Sequence, residues 1–166
     1  MGTAIKDFLK SLNPLRAHAP RETQSGVLPY RIVGSRLTYL LITSRRSARW
    51  MFPKGGLVTG ATAWDSAAQE ALEEAGVEGT VETSPIGSYH GAKNDENQTP
   101  VIVDIYPLKV SVEHDEWREK RQRQRRWVTI EEARNLLDDR EKIAIAVALD
   151  ARLRHQLKAA RQAQTR

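Results

Sequence analysis

The stretch "TAWDSAAQEALEEAG", residues 62–76, constrains the fold more than any other part of the chain, because both ends and both faces of a helix are written into it. Thr62 is suited to accept a hydrogen bond from the amide three residues on, with Asp65 making a variant of the capping box, and Gly76 stands where a helix closes in the left-handed region. On a wheel of 3.6 residues per turn, Trp64, Ala67, Ala68, Ala71, Leu72 and Ala75 gather on one arc and Glu70, Glu73 and Glu74 on the other. The small alanines let such a helix lie close against a sheet. The glutamate arc raises a problem of charge, since carboxylates at i, i+3 and i+4 repel one another. No basic residue occurs between Lys54 and Lys93, an interval that also holds Asp65, Glu78 and Glu82. A hard divalent cation relieves such repulsion, and Mg²⁺ in particular takes carboxylate oxygens and water and bridges to phosphates.

Around this helix the chain reads as one domain. Its 166 residues suffice for one core and are too few for two comfortable ones. Residues 1–24 carry Lys6, Lys10, Arg16 and Arg21 and read as a short amphipathic helix and a linker broken by Pro14 and Pro20, leaving 25–166 as the domain with a C-terminal helix. "GVLPYRIV" and "RLTYLLIT", separated by "GS", predict an antiparallel hairpin. "RWMFPKGGLVTG" reads as a short strand and a glycine-rich loop whose backbone can approach a partner closely. "VEGTVETSPIGSYHG" and "TPVIVDIYPLKVSV", joined by "AKNDENQ", predict a second hairpin. "RWVTI" reads as a strand, and "TIEEARNLL" as a helix capped by Thr129 with Glu132; from about Glu141 a C-terminal helix follows. With no cysteine, a thiolate metal site and a cysteine nucleophile are excluded. No apolar run approaches the length of a membrane span and no secretory leader is legible, so a cytoplasmic protein is expected.

The segment "GGLVTGATAWDSAAQEALEEAGV" resembles the signature of the Nudix hydrolases, G-x5-E-x7-R-E-U-x-E-E-x-G-U with U aliphatic. Gly55, Glu70, Ala71, Glu73, Glu74, Gly76 and Val77 fall on its places, whereas Ala61 and Gln69 replace its first glutamate and its arginine. In the family those two side chains tend to pair, so losing both leaves no lone charge. The flanks "SRRSARWMFPKGG" and "RQRRWVTIEEA" resemble the diphosphoinositol polyphosphate phosphohydrolase branch, which also cleaves diadenosine polyphosphates. The resemblance implies an α/β (α+β) fold, a mixed β-sheet sandwiched between helices. It also implies Mg²⁺, with Mn²⁺ as substitute, and hydrolysis of a diphosphate linkage in a dinucleoside polyphosphate or an inositol pyrophosphate. Glu70, Glu73, Glu74 and the carbonyl of Gly55 are the implied metal ligands. Glu73 and Glu70 are the catalytic carboxylates, with Glu113, Asp115 or Glu116 open as alternative bases.

A chain of formal net charge +5 and pI near 9.7 suits a polyanionic partner. Arg31, Arg45, Arg49 and Lys54 before the signature, and Arg123 and Arg125 in the basic run "WREKRQRQRR", are the candidate substrate-binding residues, since a guanidinium grips phosphate oxygens in a bidentate fork. Arg46, Arg118, Lys120 and Arg121 read more readily as solvated surface, and Trp50 and Trp127 as core. Two other readings stay open: an RNA 5′-end pyrophosphohydrolase, whose basic tails hold the transcript, and a non-catalytic nucleotide-binding regulator on the same fold.

Overall fold

The computed structural model describes residues 22–93 and 95–164; the helix expected within 1–24 falls almost wholly outside the described residues, and Glu22 already belongs to a strand. The strands are β1 (Glu22–Val33), β2 (Arg36–Thr43), β3 (Trp50–Met51), β4 (Lys54–Gly56), β5 (Val77–Val81), β6 (Gly87–Ala92), β7 (Pro100–Glu113) and β8 (Arg125–Val128). The helices are α1 (Ala63–Glu70), continued by a π-helical turn over Ala71–Ala75, then α2 (Ile130–Leu136) and α3 (Arg140–Gln164).

β1 and β2 form the expected hairpin, Tyr30 opposite Tyr39, around Gly34 at φ +63°. β1 also runs parallel to β7 from Glu22 opposite Val101 to Tyr30 opposite Lys109. Parallel neighbours need a long crossover, and this one carries α1. The stretch read as one hairpin with β7 divides in two: β6 pairs with Pro100–Ile105 of β7, and β5 with the C-terminal half of the same strand. The result is one mixed eight-stranded sheet with β3-β2-β1-β7-β5 as its main path.

Side chains alternate across a strand, so the continuous apolar run of β2 feeds two cores. Leu40 and Ile42 pack with Ala67, Ala71 and Ala75 of α1, while Tyr39 and Leu41 pack with Ala133 of α2 and Ile145, Ala146 and Leu149 of α3. The Tyr39 hydroxyl donates to the buried Asp150 Oδ1 at 2.8 Å, and Asp150 Oδ2 accepts from Arg154 Nε at 2.6 Å, which fastens α3 to the sheet face opposite α1. No helix among the described residues is long and apolar enough to cross a membrane.

The alanine face of α1 lies where the wheel puts it, with Ala67, Ala71 and Ala75 fully buried. The last turn departs from it. A π turn closes i→i+5 bonds and so inserts an extra residue into the helical register; Leu72 is turned outward, 38% exposed, and Glu74 inward, 6% exposed. One of the three glutamates assigned to the solvent arc is therefore a buried residue of the helix–sheet seam.

Because Ala71 is fully buried in the core between helix and sheet, Ala71→Leu should lower stability by about 2 kcal/mol through overpacking, read as a fall in the midpoint of urea denaturation.

Candidate functional site

An α-helix ends with carbonyls that lack partners within the helix. At the end of α1 and its π turn the segment between β7 and β8 supplies them: the Glu119 amide donates to Glu73 O at 3.1 Å, Trp117 Nε1 to Glu74 O at 3.2 Å, Arg125 Nη1 to Ala75 O at 2.8 Å and the His114 amide to Gly76 O at 2.8 Å. Gly76 takes φ +65°, and a Cβ there would lie 2.8 Å from Trp117 Cβ, so both conformation and space require glycine. The basic run is thus a cap wrapped around the negative end of a helix, where cations are favoured.

The same wrap sets the glutamates. Glu73 accepts from Gln69 Nε2 at 2.9 Å through Oε1 and pairs with Arg118 Nη1 through Oε2. Glu74 Oε2 accepts from the Lys54 amide at 3.0 Å, and its Oε1 pairs with Arg123 Nη2. Arg123, itself 6% exposed, also donates to Glu119 Oε2 at 2.5 Å and to Thr43 O at 2.9 Å. Glu70 stands over Gly55 so closely that a Cβ on that residue would fall 1.9 Å from Glu70 Oε1. Burial pushes the Glu74 carboxyl up to about 7, with Glu70 and Glu119 adding to the rise and Arg123 and the Lys54 amide opposing it. Burial, then Glu73 and Glu119, also raise Glu70. Burial, joined by Lys142, lowers the Lys54 ammonium.

These groups line a cleft of about 690 Å³. Gly55, Glu70, Glu73, Glu74, Arg45, Arg49, Lys54 and Arg123, all singled out in the sequence, meet there. Arg31 and Arg125 do not line it. Arg31 stacks 3.9 Å over the Trp127 ring and pairs with Glu113 at 3.1 Å; Arg125 stacks 3.9 Å over Trp117 and binds the carbonyls of Ala75 and His114. Their guanidinium groups are spent on packing and on the helix cap, which corrects the expectation that they face a substrate. Glu113, Asp115 and Glu116 are likewise absent from the lining, and Trp50 and Trp127 are partly buried against the two cores.

The structure adds Arg46, Lys93, Arg118, Glu119, Gln24 and Gln98 to the lining. Seven cations then face four carboxylates. Arg46 and Arg118 sat in runs that read as solvated, and Glu119 was hidden inside a basic run. Lys93 and Gln24 arrive through strand pairing, for which no local signal exists. A shallower groove of about 410 Å³, sharing Ser44, Arg45 and Arg123, continues the cleft past Lys120 and Arg121.

Carboxylates and a backbone carbonyl make a donor set for a hard divalent ion and not for a thiophilic one. The residues fit such an ion: Glu70 has no hydrogen-bond donor among the described residues, and its carboxylate occupies the space that the missing side chain of Gly55 leaves. Among the described residues no three acidic or histidine side chains already stand in ligand geometry, because Glu73 and Glu74 are turned to their arginines. Chemically the cleft can hold a cation at its acidic floor and a multiply charged anion against its basic rim.

The two arginine pairs should differ sharply in their contribution to stability. Arg123→Ala leaves the buried Glu74 without its counter-ion, and Glu119 with only its longer pair to Arg45, and should cost about 3 kcal/mol. Arg118→Ala, removing a side chain that is 70% exposed, should cost no more than about 0.5 kcal/mol. Denaturant unfolding of the two variants measures both.

Comparison with known proteins identifies the fold. The model of the NUDIX domain matches residues 23–149. Nudix hydrolase 12, mitochondrial, of Arabidopsis thaliana is 32% identical over 68% of this chain and 64% of its own length. Nudix hydrolase 18, mitochondrial, of the same plant is 31% identical over 75% of this chain and 73% of its own length. The chain spans 64% and 60% of the first two curated relatives it matches. Among solved structures, the Ap4A hydrolase of C. elegans superposes with a TM-score of 0.62 at 20% identity, covering 80% of this chain and 98% of that one. The NUDIX domain of Shewanella oneidensis NrtR, complexed with ADP ribose, does so with 0.63 at 11% identity, covering 91% and 99%; at such identities the likeness is one of fold. With the glutamate helix, its glycine loop and the surrounding mixed sheet all inside the matched region, the chain belongs to the NUDIX domain family.

Proposed function

We propose that the chain is a pyrophosphohydrolase that cleaves a diphosphate linkage with the help of Mg²⁺, for which Mn²⁺ can substitute, and that its substrate is a dinucleoside polyphosphate or an inositol pyrophosphate. The observation that carries this reading is the meeting, in one cleft, of the carboxylates of Glu70, Glu73 and Glu74 with a rim of seven cations. Glu70, Glu73, Glu74 and the Gly55 carbonyl would hold the cation, which when bound polarises phosphoryl oxygens and lowers the pKa of water. The proton of the attacking water is assigned to Glu73 or Glu70, the latter accepting from no protein donor among the described residues. Among the described residues the Lys54 ammonium hydrogen-bonds only to the neutral Gln24 at 2.7 Å and Arg46 has no carboxylate partner, so both can take phosphate oxygens. Arg45 and Arg49, held by longer pairs at 3.6 Å to Glu119 and 3.4 Å to Asp138, can turn to the same anion.

A rim of this charge suits a substrate with more than one diphosphate's worth of negative charge, and the groove past Arg45 gives such a substrate room to extend. The cytoplasm is the compartment we assign, which a chain without cysteine suits.

Phosphate-product release in Mg²⁺ from diadenosine polyphosphates, an inositol pyrophosphate, ADP-ribose and 5′-triphosphorylated RNA tests the reading. Turnover of one of the first two, lowered at least about 100-fold by Glu73→Gln, is the expected result. Turnover of the RNA alone would replace the substrate class. Binding without turnover in Mg²⁺ and Mn²⁺ would make the protein a ligand binder.

Gly55→Ala supplies a second check. Its Cβ must displace the Glu70 carboxylate, so turnover should fall about 100-fold, the cost of a misplacement near 1 Å. The β1–β4 pairing should survive and leave the melting temperature little changed.

A further inference from the structure

The family's signature has an arginine where this chain has Gln69, and the structure shows what surrounds the glutamate one turn further on. Gln69 reaches Glu73 Oε1 with a neutral donor at 2.9 Å, while the other oxygen pairs with Arg118, which is 45 positions away in sequence. We propose that Arg118 is the positioning residue for Glu73, holding it from the β7–β8 segment, and that it competes with the divalent cation for this carboxylate. The inference rests on the reading of Glu73 as a cation ligand.

Three observations support the assignment. The root of Arg118 is held on both sides, since Trp117 Nε1 donates to Glu74 O at 3.2 Å and the Glu119 amide to Glu73 O at 3.1 Å. Its tip lies in solvent, with the side chain 70% exposed and Glu73 the one carboxylate that it pairs with among the described residues. Arg123 is the contrasting case: buried at 6% exposure with bonds to Glu74, Glu119 and Thr43 O, it cannot leave without stranding charge. An arginine with a fixed root and an exposed tip can pass from Glu73 to a phosphate oxygen of the substrate while the backbone stays still. The carboxylate so released turns to the cation. A guanidinium borne on the helix at position 69 would have no such independence, because it would lie one turn from Glu73 on the same face.

Binding of Mn²⁺ alone, followed by the electron paramagnetic resonance of the free ion, separates this role from a purely structural one. Wild type is compared with R118A, R118A/Q69R, E73Q and R118A/E73Q, with melting curves confirming that each is folded. R118A is expected to bind Mn²⁺ about fivefold more tightly, the competition that an exposed ion pair with Glu73 exerts on the ion. Adding Q69R should return the affinity toward wild type, and in the E73Q background removal of Arg118 should have no effect. An R118A affinity that is unchanged or weaker, or an equal tightening with and without Glu73, overturns the inference while leaving the metal site standing. If the wild type takes up no Mn²⁺, the metal-site reading falls and this inference falls with it.

Discussion

The capping of the glutamate helix by the β7–β8 segment is the interaction on which the rest of the site depends. Four successive carbonyls, those of Glu73, Glu74, Ala75 and Gly76, are satisfied by donors from residues 114–125. A buried polar group left without a partner costs about 1–3 kcal/mol, so the segment has little freedom to lie anywhere else. Its path brings Arg118 to Glu73 and Arg123 to Glu74. The helix end and the basic run each carry an electrostatic problem alone, one of surplus carbonyl and carboxylate density and the other of surplus positive charge. Packed together they solve both, and the site is what lies between them.

On the proposed function, binding competence follows from the unequal burial of the two arginine pairs. The Arg123–Glu74 pair is almost fully removed from water, and Arg123 remains the brace between the helix, β2 and the capping segment. The Arg118–Glu73 pair lies at the mouth, where solvent competes for both partners and exchange is inexpensive. Burial also raises Glu70 and Glu74 and lowers Lys54, so the floor of the cleft disfavours its own charges until an ion of opposite sign enters. On the proposed function, a cation and an anionic substrate arriving together would meet a site in which each corrects the charge imbalance that the other leaves.

Much of the fold was legible because its signals are local. Thr62 accepts from the Asp65 amide and Thr129 forms a full capping box with Glu132, both as their spacing announces. The β1–β2 hairpin was legible from its two-residue turn and the β-rich runs on either side. The π turn was not, since nothing in "ALEEA" distinguishes i→i+5 closure from i→i+4; the burial of Glu74 against Arg123 and Lys54 accompanies it. The division of residues 77–92 into β5 and β6 was also missed, because both strands take their places only from the length of β7, whose 14 residues can serve two partners along one edge. Arg31 and Arg125 looked like phosphate ligands for want of any way to see that Trp127 and Trp117 lie under them.

What the sequence determined by itself was the chemistry of the floor: a marked helix, its alanine face, three glutamates at spacings that bring them together, and a glycine-rich loop at position 55 whose backbone can be approached closely. Such features act over one or two turns of chain and survive without knowledge of the fold. Only the tertiary structure decided which cations face that floor, which glutamate is buried, and that Arg118 stands on Glu73 beside Gln69. The two arginine pairs join residues 45 or more positions apart, and which guanidinium reaches which carboxylate is settled by the path that the carbonyl cap imposes on the β7–β8 segment.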